Sequence, residues 1–107
     1  MVDFDPTQGA EMTKRRPAVV VSSAAVGLLP LRIVVPITEW DPKYAGHPWL
    51  VEIKSTQQNG LSKDSAADAF QVKSVSTSRF KRRLGTLTAQ QLDDISAAVA
   101  LCIDYSP

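Results

Sequence analysis

Apolar positions come in short runs along most of this chain and at helical spacing only near its end. Pro17 to Ser23 (PAVVVSS) and Leu31 to Ile37 (LRIVVPI) are β-branched and apolar on both alternating faces. Such runs suit strands buried on two sides, as in a compact barrel or a curved sheet. Pro36 has no N–H to donate, so it belongs at a bulge or at an unpaired stretch of ladder. Trp49 to Lys54 (WLVEIK) alternates polar with apolar, the signature of a half-buried strand. Gln58-Asn59-Gly60 is a turn, with Asn-Gly suited to positive φ. Ser65 to Phe70 is a further strand, and Gln71 to Val75 is either extended or the start of a short helix.

The last element has its own period. Thr88 is an N-cap with Gln91 three residues on, which makes a capping box. Leu92, Ile95, Val99, Cys102 and Ile103 then form one apolar stripe at helical spacing. Asp93 and Asp94 are expected to favour the positive N-terminal end of that helix. Strands followed by one helix predict a mainly β, α+β domain with a packed C-terminal helix. No repeat or linker divides it, so residues 1–107 are read as a single domain.

Composition narrows the chemistry less than local charge does. The net charge is only +1, which by itself gives no reason to expect a polyanion partner. Lys14, Arg15 and Arg16 are nevertheless contiguous, and Arg79, Lys81, Arg82 and Arg83 form a second basic cluster. The single cysteine, Cys102, sits on the apolar stripe as a small hydrophobe. One cysteine allows no internal disulfide, and no apolar run approaches a membrane span, so the expected location is the cytoplasm, without a membrane partner.

Asp3 to Ser22 reads DFDPTQGAEMTKRRPAVVVS, and this strongly resembles the start of the MazF/PemK family of toxin endoribonucleases. The resemblance continues through VVPIT (Val34 to Thr38), NGLSKDS (Asn59 to Ser65), QVKS (Gln71 to Ser74), the RLGTL turn (Arg83 to Leu87) and the final helix. It implies a small SH3-like barrel of the CcdB/PemK type and a symmetric homodimer. It also implies metal-independent cutting of single-stranded mRNA, restrained by an antitoxin with an acidic disordered tail. The attacking group would be the RNA's own 2′-hydroxyl, leaving a 2′,3′-cyclic phosphate and a 5′-hydroxyl. The first strand looks shortened, because the fuller G-D-I-V-x-V strand of the family is reduced to Met1-Val2 before Asp3.

Such a reaction needs a proton acceptor, charge stabilisation at phosphorus and protonation of the leaving oxygen, but no protein nucleophile, metal or cofactor. Arg16 matches the family's R-P arginine, and its forked donors suit phosphate oxygens. Thr38 matches the second catalytic position, with a hydroxyl able to donate to a phosphate oxygen. Glu11 can orient Arg16, contact a base edge or accept the 2′-hydroxyl proton. Gln8, Lys14 and Arg15 are candidate RNA contacts in the same loop. Gln71 and Lys73, in the stretch that lines the family's RNA groove near the dimer interface, are candidates for a base and a phosphate. Phe70 stands where some relatives carry an aspartate and offers a ring for stacking instead. His47 lies in a loop without a family counterpart, flanked by Trp40, Tyr44 and Trp49. A gyrase-trapping, non-catalytic toxin of the CcdB kind is the alternative on the same barrel.

Overall fold

One long strand organises the molecule. The computed structural model describes residues 1–4 and 15–105. Its elements in order are β1 (Val2–Asp3), β2 (Arg15–Arg16), β3 (Ala18–Val20), β4 (Leu31–Glu39), β5 (Leu50–Ile53), β6 (Ser65–Asp68), β7 (Lys73–Ser76) and α1 (Ala89–Cys102). β1 and β2 pair as a ribbon, and the larger sheet runs β3-β4-β6-β5, with β7 also pairing β4. The fold is therefore the mainly β, one-helix kind that the pattern predicts. Among the described residues the ladders do not close into a ring.

The double-sided apolar run of β4 has a direct structural cause. Val35 and Ile37 enter a core with Ile53, Leu61 and Ile95, while Val34 enters a second core with Val2 and Val75. Each fully buried aliphatic side chain contributes about 1.5–3 kcal/mol of transfer free energy. The run is not buried throughout, since Leu31 and Ile33 are 42% and 44% exposed. β3 is also shorter than the PAVVVSS run, although the Val21 N–H still reaches the Ile33 carbonyl at 2.9 Å.

Pro36 explains how β4 changes partners. Ile37 donates its N–H to the Pro17 carbonyl at 2.9 Å, on the β3 side. Successive residues direct their backbone groups to opposite edges, so the Pro36 nitrogen faces the other edge. On that edge β7 pairs as far as Val34 and β6 begins at Ile37. The proline sits in the gap, where no donor is needed.

Between β6 and β7 the chain makes one 3-10 turn, Ala69–Gln71, so the strand expected to reach Phe70 ends at Asp68. Asp68 caps that turn by accepting from the Phe70 N–H at 3.2 Å. Gln71 to Val75 is thus partly both alternatives, a turn and then a strand.

The capping box of α1 is present as read. Gln91 N–H donates to Thr88 Oγ1 at 3.1 Å, and Thr88 N–H donates to Gln91 Oε1 at 2.8 Å. The buried stripe is Ile95 and Ala98, with Val99 packed alongside. Ile103 lies beyond the helix and is 65% exposed, so it is not part of the stripe. Asp93 and Asp94 fall past the first turn, and Asp94 instead accepts from Gln90 Nε2 at 2.8 Å. Their expected part in the helix's N-terminal charge balance is therefore not realised.

Two loops lock together beneath the sheet. Gly60 takes φ +67°, while Asn59 keeps negative φ and is buried. A Cβ at Gly60 would lie 2.1 Å from the Leu84 carbonyl oxygen, and one at Gly85 would lie 2.1 Å from the Gln58 carbonyl oxygen. The NGLSKDS and RLGTL segments need glycine because their backbones touch, and the Thr86 N–H joins them by donating to Gln58 at 2.9 Å.

Candidate active site

β3 pairs with β4 in the register Ala18 with Pro36, Val19 with Val35 and Val20 with Val34. The Ile37 N–H to Pro17 carbonyl bond carries that register back one residue. One more step sets Arg16 across from Thr38, and β2 does contact β4. Cross-strand neighbours of this type have Cβ atoms about 5 Å apart and share one face. On its other edge Arg16 pairs with Val2, so the arginine is held between β1 and β4. Its side chain is exposed, and that of Thr38 is half-buried. No described residue forms an ion pair with the Arg16 guanidinium or a hydrogen bond with the Thr38 hydroxyl. The register thus sets Arg16 and Thr38 side by side, and neither spends its donors on a described residue.

A cleft of about 230 Å³ opens beside Thr38, lined among others by Pro17, Glu39, Lys63, Ser65 and Arg82. Lys63 Nζ lies 3.3 Å from Glu39 Oε1, with both side chains about two-thirds exposed (67% and 65%). Such an exposed pair is worth little, so Lys63 can leave Glu39 for a phosphate at small cost. Ser65 is committed, since its hydroxyl donates to the Lys63 carbonyl at 2.8 Å. Arg82 adds a second cation to this wall. Lys63 was not among the residues singled out from sequence. The signal was there: NGLSKDS leads directly into β6, and β6 pairs Ala66 with Thr38.

The other expected RNA contacts lie elsewhere. Phe70 is 66% exposed on the 3-10 turn, and Gln71 ends that turn, also exposed. Lys73 opens β7, and its Nζ lies 5.1 Å above the Phe4 ring. Phe4 also leans on the second core. Arg15 is exposed and pairs with Asp3 in the β1–β2 ribbon. No described contact joins Phe70, Gln71 or Lys73 to Arg16 or Thr38 within one chain. Gln8, Gly9, Glu11 and Lys14 lie outside the described residues.

The aromatic loop makes its own contacts. His47 and Trp49 stack with centroids 4.8 Å apart, and Trp40 meets Tyr44 edge-on at 5.8 Å. Cys102 is half-buried, and burial first, then the Asp68 charge, raises its thiol pKa. That suits the small hydrophobe expected there and disfavours a thiolate.

Against known proteins, the sequence profile of the PemK-like, MazF-like toxins of type II toxin–antitoxin systems matches residues 1–103. The chain belongs to this family. It is 35% identical over 109 residues to the endoribonuclease MazF9 of Mycobacterium tuberculosis, covering 96% of this chain and 90% of that protein. It is 34% identical over 107 residues to the endoribonuclease toxin MazF of Escherichia coli, covering 95% and 86%. In fold it resembles a MazE–MazF structure from Deinococcus radiodurans, with TM-score 0.75, 27% identity and 98% and 90% coverage. Membership matches the fold read from the strand and helix pattern. Among the described residues no helix is long and apolar enough to cross a membrane.

Proposed function

We propose that this toxin is an endoribonuclease that cuts single-stranded RNA by using the substrate's own 2′-hydroxyl as nucleophile. The observation that carries the proposal is Arg16 set across from Thr38, both with free donors on one face. The 2′-oxygen attacks the adjacent phosphorus, the bond to the 5′-oxygen breaks, and the products are a 2′,3′-cyclic phosphate and a 5′-hydroxyl. Arg16 offers two parallel donors to the non-bridging oxygens as charge builds there. The Thr38 hydroxyl adds a third donor. Glu11 is the candidate proton acceptor or the group that orients Arg16. Arg16 offers donors and no acceptor, so it is not the base. This chemistry asks nothing of a metal. Lys63 and Arg82 lengthen the cationic wall along which the strand lies, and splayed single-stranded bases are the form such a groove can read.

The working form is a homodimer. Leu28, Leu29, Leu31 and Ile33 are all more than 40% exposed and follow one another into β4. The Arg32 guanidinium holds the preceding turn by donating to the carbonyls of Leu29 at 2.8 Å and Leu31 at 2.7 Å. A fixed apolar surface of this kind suits a second copy. A dimer also gives Phe70, Gln71 and Lys73 a route to the partner's Arg16 and Thr38. The brake on the enzyme is a cognate antitoxin whose acidic tail competes with RNA for the cations. The gyrase-trapping alternative is not favoured, because the profile match and both curated relatives fall on the endoribonuclease side.

The test uses a fluorescent RNA and the same RNA with 2′-hydrogen at the cut site, each with and without EDTA. The expected result is cutting of the ribose substrate alone, indifferent to EDTA, with cyclic phosphate ends. Equal cutting of the 2′-hydrogen substrate overturns the mechanism, and loss of cutting in EDTA overturns metal independence.

A further inference from the structure

β4 and β5 run in the same direction, because each pairs antiparallel with β6, which lies between them. The segment from Trp40 to Trp49 must therefore return along β6 before β5 begins. One face of the sheet is taken, since Ile37, Ala67 and Ile53 enter the core that Ile95 of α1 shares. Ala66 has Thr38 and Glu52 as its cross-strand neighbours, so all three point to the other face. Ala66 is fully buried there, although Glu52 beside it is exposed. The returning segment accounts for that cover. The aromatic loop thus lies on the same side of the sheet as Thr38.

Trp40 opens this segment still in register. Its N–H donates to the Asp64 carbonyl at 3.0 Å, which carries the β4–β6 ladder one residue past Glu39. Side chains alternate along a strand, so Trp40 shares the face of Thr38, roughly 6.5–7 Å further along. Its indole is half-buried and meets Tyr44 edge-on at 5.8 Å. Tyr44 is itself held. Asp41 accepts from the Lys43 N–H at 2.9 Å, and the Tyr44 N–H donates to the Asp41 carbonyl at 2.8 Å. The His47 N–H then donates to the Tyr44 carbonyl at 3.1 Å. A ring fixed in advance loses little freedom when a ligand stacks on it.

Charge sets a direction across this face. Arg16 lies on the β3 side of Thr38. On the β6 side Lys54 Nζ lies 2.9 Å from Glu52 and 3.8 Å from Asp64. On the loop itself Lys43 Nζ lies 4.0 Å from Asp41. Two carboxylates around Lys54 leave that side negative, which turns a phosphate away from it and toward Arg16. An uncharged base meets no such penalty. A strand whose phosphate rests at Arg16 and Thr38 has a base within one nucleotide's reach of Trp40.

We infer that Trp40 stacks on a base adjoining the cut and so helps to select the sequence that is cut. The inference rests on the ribonuclease reading above and names a residue of that same site. Aromatic rings serve single-stranded RNA in this way because every base has a π-face.

The probe is an unlabelled 2′-fluoro copy of the assay RNA, which lacks the attacking hydroxyl, together with a set of copies each abasic at one place. Trp40→Ala should weaken binding of the intact copy by about tenfold or more, and Trp40→Phe, which keeps a ring, by less than about threefold. One abasic place should weaken binding to the parent chain as Trp40→Ala does, and on that copy Trp40→Ala should cost nothing further. If Trp40 only holds the loop, Trp40→Ala weakens every copy alike, and that result overturns the inference. Trp49→Phe leaves Trp40 as the one indole of the chain. Its emission should be quenched by the intact copy and not by the copy abasic at that place. Emission that does not change, or no binding at all, also overturns the inference. If Trp40→Ala does not fold, the emission of the Trp49→Phe chain carries the test. RNA cutting is assayed separately. Quenching without cutting refutes the ribonuclease reading alone, and cutting without quenching refutes the role of Trp40 alone.

Discussion

Asn59 and the Arg16–Thr38 pair both bring polar groups together on loops and strand ends, and they use them in opposite ways. Asn59 Oδ1 accepts from the N–H groups of Thr56 and Leu61, each at 3.0 Å, and its Nδ2 donates to the Lys54 carbonyl at 2.8 Å. Its own N–H donates to Thr56 Oγ1 at 3.1 Å. Every polar group of that side chain is spent on the chain itself, inside a buried turn. Arg16, exposed, and Thr38, half-buried, spend none on the described residues. A buried group left unpaired costs stability, whereas an exposed donor left unpaired costs nothing until a substrate arrives. The first arrangement builds the frame, and the second is the proposed site.

The sharpest way to break this contrast is Arg16→Ala. Cutting should fall about 10²–10³-fold, as for loss of one aimed donor at a charged transition state. The melting temperature should scarcely move, because surface changes stay within about 0.5 kcal/mol. A large fall in melting temperature would make Arg16 part of the frame. Asn59→Ala reverses the pattern. It strands buried backbone groups and should cost about 2–3 kcal/mol in chemical unfolding, while the protein that remains folded cuts normally. A smaller loss belongs to Thr38→Val, which keeps the shape and removes one donor. Cutting should drop about tenfold, with Thr38→Ser retaining most of it. If serine is as poor as valine, the methyl group and not the hydroxyl matters. Thr88→Ala removes only the helix cap and should cost about 1 kcal/mol without touching the rate, which calorimetry and the RNA assay report together.

Local rules were legible wherever one residue's neighbours in sequence are also its neighbours in space. The capping box of Thr88 and Gln91, the Asn-Gly turn and the unpaired ladder at Pro36 all follow from that. What escaped were the features set by distant segments. The sequence pattern cannot show that Gly85 rests on Gln58, or that Lys63 lines the wall beside Thr38. Ile103 fits the helical period but misses the buried stripe, because the helix stops one residue earlier. Leu31 and Ile33 look like core in an apolar run, yet the core that covers Val35 and Ile37 does not extend to them. For the proposed site, Arg16 and Thr38 were readable only through family resemblance. Their placement side by side follows from a register that residue patterns alone leave open.

The sharing of β4 bears on how the chain comes apart. Its nine residues, Leu31–Glu39, meet partners drawn from both before and after it in sequence, and each of the two cores takes side chains from it. Neither half of the molecule owns a complete interior, so neither can survive as a separate folded remnant. Unfolding should be all-or-none, and assembly slow for so small a chain, since the central ladder awaits contacts between distant segments. Proteolysis of the toxin would then sample either the intact enzyme or a fully opened chain, with no half-active fragment between them.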